Sequence, residues 1–422
     1  MNHLIRHSTY LFWTILEQFS ISGISRLVLF PIVAYLVGKS DFGLFATALS
    51  FVLIVGVNPA NGLAIGLLRT FSHYQDRQQE QLFSTAVRMC HKFLTYFVLI
   101  VLVLIIGVFT SGMMDKKTYM CLTLLAMSLY AENKFMLILT PLRYKRLFKE
   151  RSLWFLGCSL CVLVIGLAGC YIFGVVGLAF GMMSANYLMC WIAAKKYYKA
   201  DLEYNIEQAK TLRHVWIHMT IAGMLILAGP NLNRIVLRFF SDNESVADLF
   251  AATGIAYVFV APISNSSGLL LSMISKYKTA NEISGYVFKM LFCVTIAGVI
   301  IGTALFGWAA PIILKLLFPE FGDRALGLFG ILIWMIPSNV VTALVRPLIT
   351  KFANVAWIPR INFTILAVTL VLMFSLIPHW GLAGAAWSVS ICSIIAAILQ
   401  LVLFCVIYIR SLKPVEYRES VK

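Results

Sequence analysis

The sequence predicts an all-α polytopic membrane protein, with about twelve transmembrane helices in two six-helix lobes related by an internal parallel repeat. Three observations predict it. The 422 residues are 60% hydrophobic and only 12% charged, with a mean hydropathy of +0.88, which leaves too little polar surface for a soluble domain. The apolar residues gather into stretches of about 20, the length of one bilayer crossing. Short patterns also recur at a nearly constant separation. Backbone groups in lipid must be satisfied within their own segment, so the stretches are helices.

Taken in order, the first apolar stretch, 11–37, is too long for a cleaved signal and has no small-residue processing site, so it is read as a retained helix. It carries Glu17 and Arg26. The second, 44–68, is interrupted by Asn58-Pro59-Ala60-Asn61-Gly62. Proline frees a carbonyl and permits a bend, which makes Pro59 a gating candidate, though a static kink explains it equally. The third and fourth are 93–112 and 119–142; the fourth holds Glu132 and Lys134, which are two apart and point in different directions. The fifth and sixth, 153–173 and 175–194, meet at Gly174, and Gly177 and Gly181 suit close helix packing. Residues 1–198 then form the N-terminal lobe, 199–214 a cytoplasmic linker and 215–422 the C-terminal lobe.

The second half follows the same plan. Span 215–239 carries Asn231, Asn233, Arg234 and Arg238, and span 248–272 contains Ala261-Pro262-Ile263-Ser264-Asn265, which makes Pro262 a second gating candidate. Spans 287–308, 325–348 (with Arg346), 361–377 and 381–409 complete the count. Arg26 and Arg234 lie 208 positions apart, and Gly174-Val175-Val176-Gly177-Leu178-Ala179 is matched 207 positions later by Gly381-Leu382-Ala383-Gly384-Ala385-Ala386. An acidic-plus-aromatic start to a helix recurs as Asp41-Phe42-Gly43 and Asp248-Leu249-Phe250. Two six-helix halves of one orientation are parallel repeats, and such folds hold substrate between the halves.

The net charge is +16, and its distribution excludes a nucleic-acid face. Basic residues crowd into alternate loops, as in Arg143, Lys145, Arg146, Lys149 and Arg151, then Lys195, Lys196 and Lys199. That asymmetry places both termini in the cytoplasm. The nine cysteines all fall in or beside apolar helices and read as small packing residues; Cys158 and Cys161 have redox spacing but no partners. No phosphate-binding loop, nucleotide fingerprint or metal-ligand spacing occurs, so neither cofactor nor metal is implied.

The intramembrane ionisable residues carry what chemistry there is. An arginine at mid-depth costs about 2.5–3.5 kcal/mol on insertion scales, so two of them suggest a polar chamber for an anion. Arg234 and Arg238 share a helix face, with Asn231 and Asn233 close by, and guanidinium donates bidentate hydrogen bonds to phosphate oxygens. Arg26, Arg234, Arg238, Asn231 and Asn233 are therefore the substrate-binding candidates. Arg238 and Arg346 read equally as side chains snorkelling from helix ends. Glu17, Glu132 and Lys134 are ion-coupling candidates, with a structural ion pair as the alternative for Glu17.

Arg26, Pro31 and Gly38-Lys39-Ser40-Asp41-Phe42-Gly43 resemble the opening of Wzx-type polysaccharide-lipid flippases, of the multidrug/oligosaccharidyl-lipid/polysaccharide exporter superfamily. Leu316-Leu317-Phe318-Pro319-Glu320-Phe321 before the tenth helix and Trp380-Gly381-Leu382-Ala383-Gly384 at the start of the twelfth extend the resemblance over the whole chain. It implies residence in a bacterial inner membrane and a cargo of polyprenyl-pyrophosphate-linked glycan, such as an O-antigen unit. It also implies contact with membrane lipids and with polysaccharide polymerase machinery, and alternating access rather than catalysis. The alternative within that superfamily is a cation-coupled multidrug antiporter, which needs a membrane carboxylate such as Glu17 or Glu132. A lipid II flippase resembles a fourteen-helix design, against twelve spans here. A surface-glycan polymerase or acyltransferase would need a large outer loop or a catalytic His/Asp set, and His379 stands alone beside Pro378.

Overall fold

The computed structural model describes residues 2–55, 59–70, 76–112, 115–198, 204–274, 285–352 and 357–412, and among them every regular element is helical. Two elements exceed any single crossing: α8 (Phe148–Tyr197, 50 residues) and α14 (Trp357–Leu412, 56 residues). At about 1.5 Å per residue each would run over twice the ~30 Å hydrocarbon core. Both fold back instead at a glycine in the left-handed region, Gly174 with φ 59° and Gly381 with φ 50°. The arms of each hairpin then touch through their backbones. A Cβ on Gly177 would lie 1.9 Å from the Gly169 carbonyl oxygen, and one on Gly384 would lie 2.2 Å from that of Leu376. The turn glycines and the contact glycines are both 207 positions apart, so the repeat is built into the structure.

The remaining helices are α1 (Asn2–Gln18), α2 (Phe30–Val37), α3 (Lys39–Val55), α4 (Pro59–Thr70), α5 (Asp76–Thr110), α6 (Lys116–Ile138), α7 (Thr140–Tyr144), α9 (Ile206–Phe240), α10 (Asn243–Ile274), α11 (Gly285–Leu317), α12 (Gly322–Leu332) and α13 (Met335–Phe352). Six helices are long and apolar enough alone to cross a membrane, and three bent pairs qualify as single spans. Dividing α8 and α14 at their glycines and adding α10, which is 32 residues long, gives twelve candidate spans among the described residues. Val103, Leu104, Val164, Ile172, Phe363 and Val371 face outward as a lipid-facing apolar belt. Helix α5 starts well before the expected span 93–112, because hydrogen bonding does not stop where hydropathy falls. Likewise α9 starts at Ile206, inside the segment 199–214, of which 199–203 lie outside the described residues.

Between α1 and α2 the first span passes through two π-helical turns, Phe19–Gly23 and Ser25–Leu29. Two serines of α8 donate to its backbone: Ser159 Oγ to the Ser20 carbonyl at 2.5 Å and Ser152 Oγ to that of Trp13 at 2.6 Å. A hydroxyl inserted into the helical ladder favours such widened turns. The second span breaks before Pro59, where α3 and α4 meet at 45°; Asn58 lies outside the described residues. Asn133 of α6 accepts from the Ala60 amide, and Trp216 of α9 donates to the Pro59 carbonyl. The break is thus tied to both lobes. No equivalent break occurs at Pro262, since α10 runs continuously from Asn243 to Ile274. The expected interruption there is corrected, and the Pro262 side chain lies outside the described residues.

The lobes meet chiefly through α3 and α4 on one side and α9 and α10 on the other. At the end away from the arginine-rich loops the backbones touch, a Cβ on Gly43 falling 1.9 Å from the Asn243 carbonyl oxygen. Buried rings of Phe30, Phe42, Phe45, Phe250, Phe318 and Phe321 pack there with centroids 5.0 to 6.4 Å apart. Lys39 pairs across the lobes with the fully buried Asp248 at 2.8 Å. In the adjoining loop Asp242 caps α10, and its hydrogen bonds from Ser245 hold the carboxyl below the usual carboxylate range. This end is sealed.

Candidate functional site

Behind that seal, two guanidinium groups converge from opposite lobes. Arg26 sits in the second π-helical turn, half-buried, and lies over the Tyr257 ring at 4.9 Å. Arg234 comes from α9 and is 6% exposed. Phe250, Thr253 and Tyr257 are three and four positions apart, so one face of α10 presents all of them. Arg234 lies over Phe250 at 4.6 Å and donates to Thr253 at 3.1 Å. Tyr257 is close enough to interact electrostatically with both arginines, and they with each other.

The Arg234 hydrogen bonds are all to neutral groups. Nη1 donates to Asn231 Oδ1 at 3.2 Å and, across the lobe boundary, to Ser50 Oγ of α3 at 3.3 Å. Its Nε is buried without an acceptor. Arg26 donates no hydrogen bond, and neither arginine has a carboxylate partner among the described residues. A buried charge is normally paired, because removing it from water costs several kcal/mol. The two charges thus lie close together with no protein counter-charge among the described residues.

The two arginines are not at one depth. Arg26 lies eleven positions before Val37, the end of its span, whereas Arg234 lies six before Phe240. The difference is about 7 Å of helix, which the side chains and the π-helical turns bridge. Pro230 interrupts the amide ladder of α9, and Asn231 Nδ2 donates to the Leu227 carbonyl at 2.7 Å while its oxygen steadies Arg234. Asn231 therefore holds Arg234 in place.

Three candidates are corrected. Asn233 faces away from it: fully buried, it donates to the Ala385 carbonyl at 2.7 Å and accepts from Ser388 at 3.1 Å, joining α9 to α14. Arg238 is exposed and donates to the Ser241 carbonyl at the helix end. Glu17 is held by Arg151 Nε, 3.0 Å from each oxygen, and Arg151 also donates to the Leu139 carbonyl, so Glu17 is a structural partner.

Glu132 and Lys134 diverge. Lys134 points toward Tyr130, at 6.0 Å from the ring, and interacts with Cys90, His91 and Cys190. Glu132 is exposed on the surface of α6, with Cys158 as its electrostatic neighbour and no hydrogen bond or ion pair among the described residues. Sequence reasoning missed Tyr257, Phe250, Thr253 and Ser50. A tyrosine far from both membrane interfaces, where tyrosine usually gathers, was the available signal for Tyr257.

No family model and no curated protein matches the chain. Solved structures match it over nearly its whole length. The lipid II flippase MurJ, in an inward closed conformation, superposes with a TM-score of 0.69 at 14% identity, covering 98% of this chain and 94% of that one. A eukaryotic MATE transporter gives 0.71 at 11% identity over 95% of this chain and 96% of its own. An outward-facing multidrug resistance MATE family transporter of the MOP superfamily gives 0.69 at 13% identity over 96% of both. The chain has the two-lobe fold of these transporters.

Proposed function

We propose that the protein is a flippase that carries a polyprenyl-pyrophosphate-linked oligosaccharide, such as a surface-polysaccharide repeat unit, across a bacterial inner membrane by alternating access of its lobes. One observation carries this reading: Arg26 and Arg234 converge from opposite lobes near Tyr257 with no acidic partner among the described residues. A pyrophosphate supplies the missing negative charge and enough oxygens for both guanidinium groups. The prenyl chain is uncharged and needs no such partner. A structural neighbour described as a lipid II flippase has the same fold, which supports a lipid-linked cargo. The basic loops orient both termini to the cytoplasm, so loading occurs from the inner leaflet.

Complementation of a strain lacking its own flippase, with one defined glycan pathway, tests the class. The wild-type chain restores surface glycan, Arg26→Ala at equal abundance does not, and Arg26→Lys restores part. Full restoration by the alanine variant overturns the reading.

Glu132 favours a second reading, a cation-coupled multidrug antiporter. A membrane carboxylate with no ion pair among the described residues is a site for a proton or sodium ion. Drug susceptibility of a deletion strain separates the two, because only the antiporter reading expects hypersensitivity.

A further inference from the structure

The seal away from the basic loops is built unevenly. Asp41 of α3 and Asp248 of α10 stand 207 positions apart, and so do Lys117 of α6 and Arg324 of α12. This is also the separation of the turn glycines Gly174 and Gly381. The helices that carry these residues pack alike, α3 on α6 and α10 on α12. In the N-terminal lobe the acid and the cation pair with each other: Lys117 Nζ donates to Asp41 Oδ2, and both are partly open to solvent. In the C-terminal lobe they do not. Asp248 is fully buried and takes its cation from the other lobe, Lys39 Nζ at 2.8 Å. Lys39 has no repeat counterpart, since Val246 stands 207 positions after it.

That leaves Arg324 spare. It is exposed and makes no hydrogen bond or ion pair among the described residues. It sits in the first turn of α12, where the helix dipole disfavours a cation unless an acid answers it. Phe321, three positions earlier, has Lys39 Nζ over its ring at 5.3 Å, which sets the start of α12 beside the cross-lobe pair. The Arg324 charge acts on Asp248 and also on Asp242. Asp248 Oδ2 is buried without a hydrogen-bond donor. One acid with a free oxygen thus has two cations at hand, one from each lobe.

We propose that Arg324 is the partner Asp248 takes when the lobes part at this end: the carboxylate trades Lys39 for Arg324 and gains, within its own lobe, the pairing that Lys117 and Asp41 keep throughout. The proposal rests on alternating access of the lobes and not on the identity of the cargo. Parting without exchange leaves a carboxylate with no cation in a partly buried place, which is strongly unfavourable. With the exchange, sealed and open forms each hold an ion pair at Asp248, and their energies stay close enough for a transport cycle. The Lys117–Asp41 pair crosses no lobe boundary and has nothing to exchange.

The test uses the full chain in nanodiscs. It reads opening as the thiol-labelling rate of a cysteine introduced behind the Phe42 ring, in excess of the rate of the parent chain. Arg324→Gln should slow labelling about tenfold, between what an exposed and a buried ion pair would give, and Arg324→Lys should restore most of the rate. Lys39→Ala weakens the sealed state instead, so K39A/R324Q should return toward the wild-type rate. R324Q should have no effect in a D248N background and its full effect in D242N. An unchanged rate in folded R324Q overturns the exchange. So does a slowing that survives D248N or vanishes in D242N, because Arg324 then serves Asp242. If the introduced cysteine never labels in the otherwise wild-type chain, this end does not open, and alternating access fails together with the exchange.

Discussion

Replacing Arg234 with glutamine separates a binding role from a structural one, because the two roles predict different responses to ligand. In the resting protein the guanidinium makes three hydrogen bonds of 3.1 to 3.3 Å, all to neutral groups. Net contributions of about 0.5–1.5 kcal/mol each roughly offset the ~2.5–3.5 kcal/mol of holding the charge at that depth. Arg234→Gln should therefore change resting stability by no more than about 1 kcal/mol. With a pyrophosphate bound, loss of one partner from a buried charged pair costs about 2–5 kcal/mol, a roughly 30-fold to few-thousand-fold weakening. Thermal unfolding in neutral nanodiscs reads both quantities. Farnesyl pyrophosphate at about a hundred times its wild-type Kd should stabilise wild type by about 2.7 kcal/mol and the variant by less than about 1 kcal/mol. An equal ligand shift in both proteins, or a resting loss above about 3 kcal/mol, would refute the reasoning.

Asn233→Ala should behave in the reverse way, losing about 1–3 kcal/mol because two buried hydrogen bonds, to the Ala385 carbonyl and from the Ser388 hydroxyl, are removed, while the farnesyl pyrophosphate shift persists in the same assay. Gly177→Leu should cut folded yield several-fold by forcing the arms of α8 apart, since overpacking costs about 1–3 kcal/mol; size-exclusion profiles at equal expression check it. Lys39→Ala leaves Asp248 buried without its cation, so the sealed end should open more often. Cysteine labelling at a position introduced behind the Phe42 ring should then speed up, and an unchanged rate would remove the ion pair from the gate.

The helical class, the twelve crossings and the repeat could be read from hydropathy and from Gly174 and Gly381, because a bilayer imposes length and a tight turn imposes glycine. The arginines of the site were also legible, since charge at that depth is costly wherever it occurs. What the sequence hid was direction. Asn231 and Asn233 look alike two positions apart, yet only Asn231 turns toward Arg234, and only the packing of α14 reveals where Asn233 goes. Glu17 needed Arg151 from a helix more than a hundred positions away. Tyr257, Thr253 and Ser50 are ordinary residues made special by the approach of the lobes. The π-helical turns on either side of Ile24 are announced by no local pattern in the first span.

A double-mutant cycle on farnesyl pyrophosphate affinity, with Arg26→Gln and Arg234→Gln singly and together in neutral nanodiscs, probes whether the two guanidiniums grip one headgroup. If they do, the two losses should be coupled by about 1 kcal/mol or more. Losses that add within about 0.5 kcal/mol would mean that the arginines act separately, contradicting a shared phosphate site between the lobes.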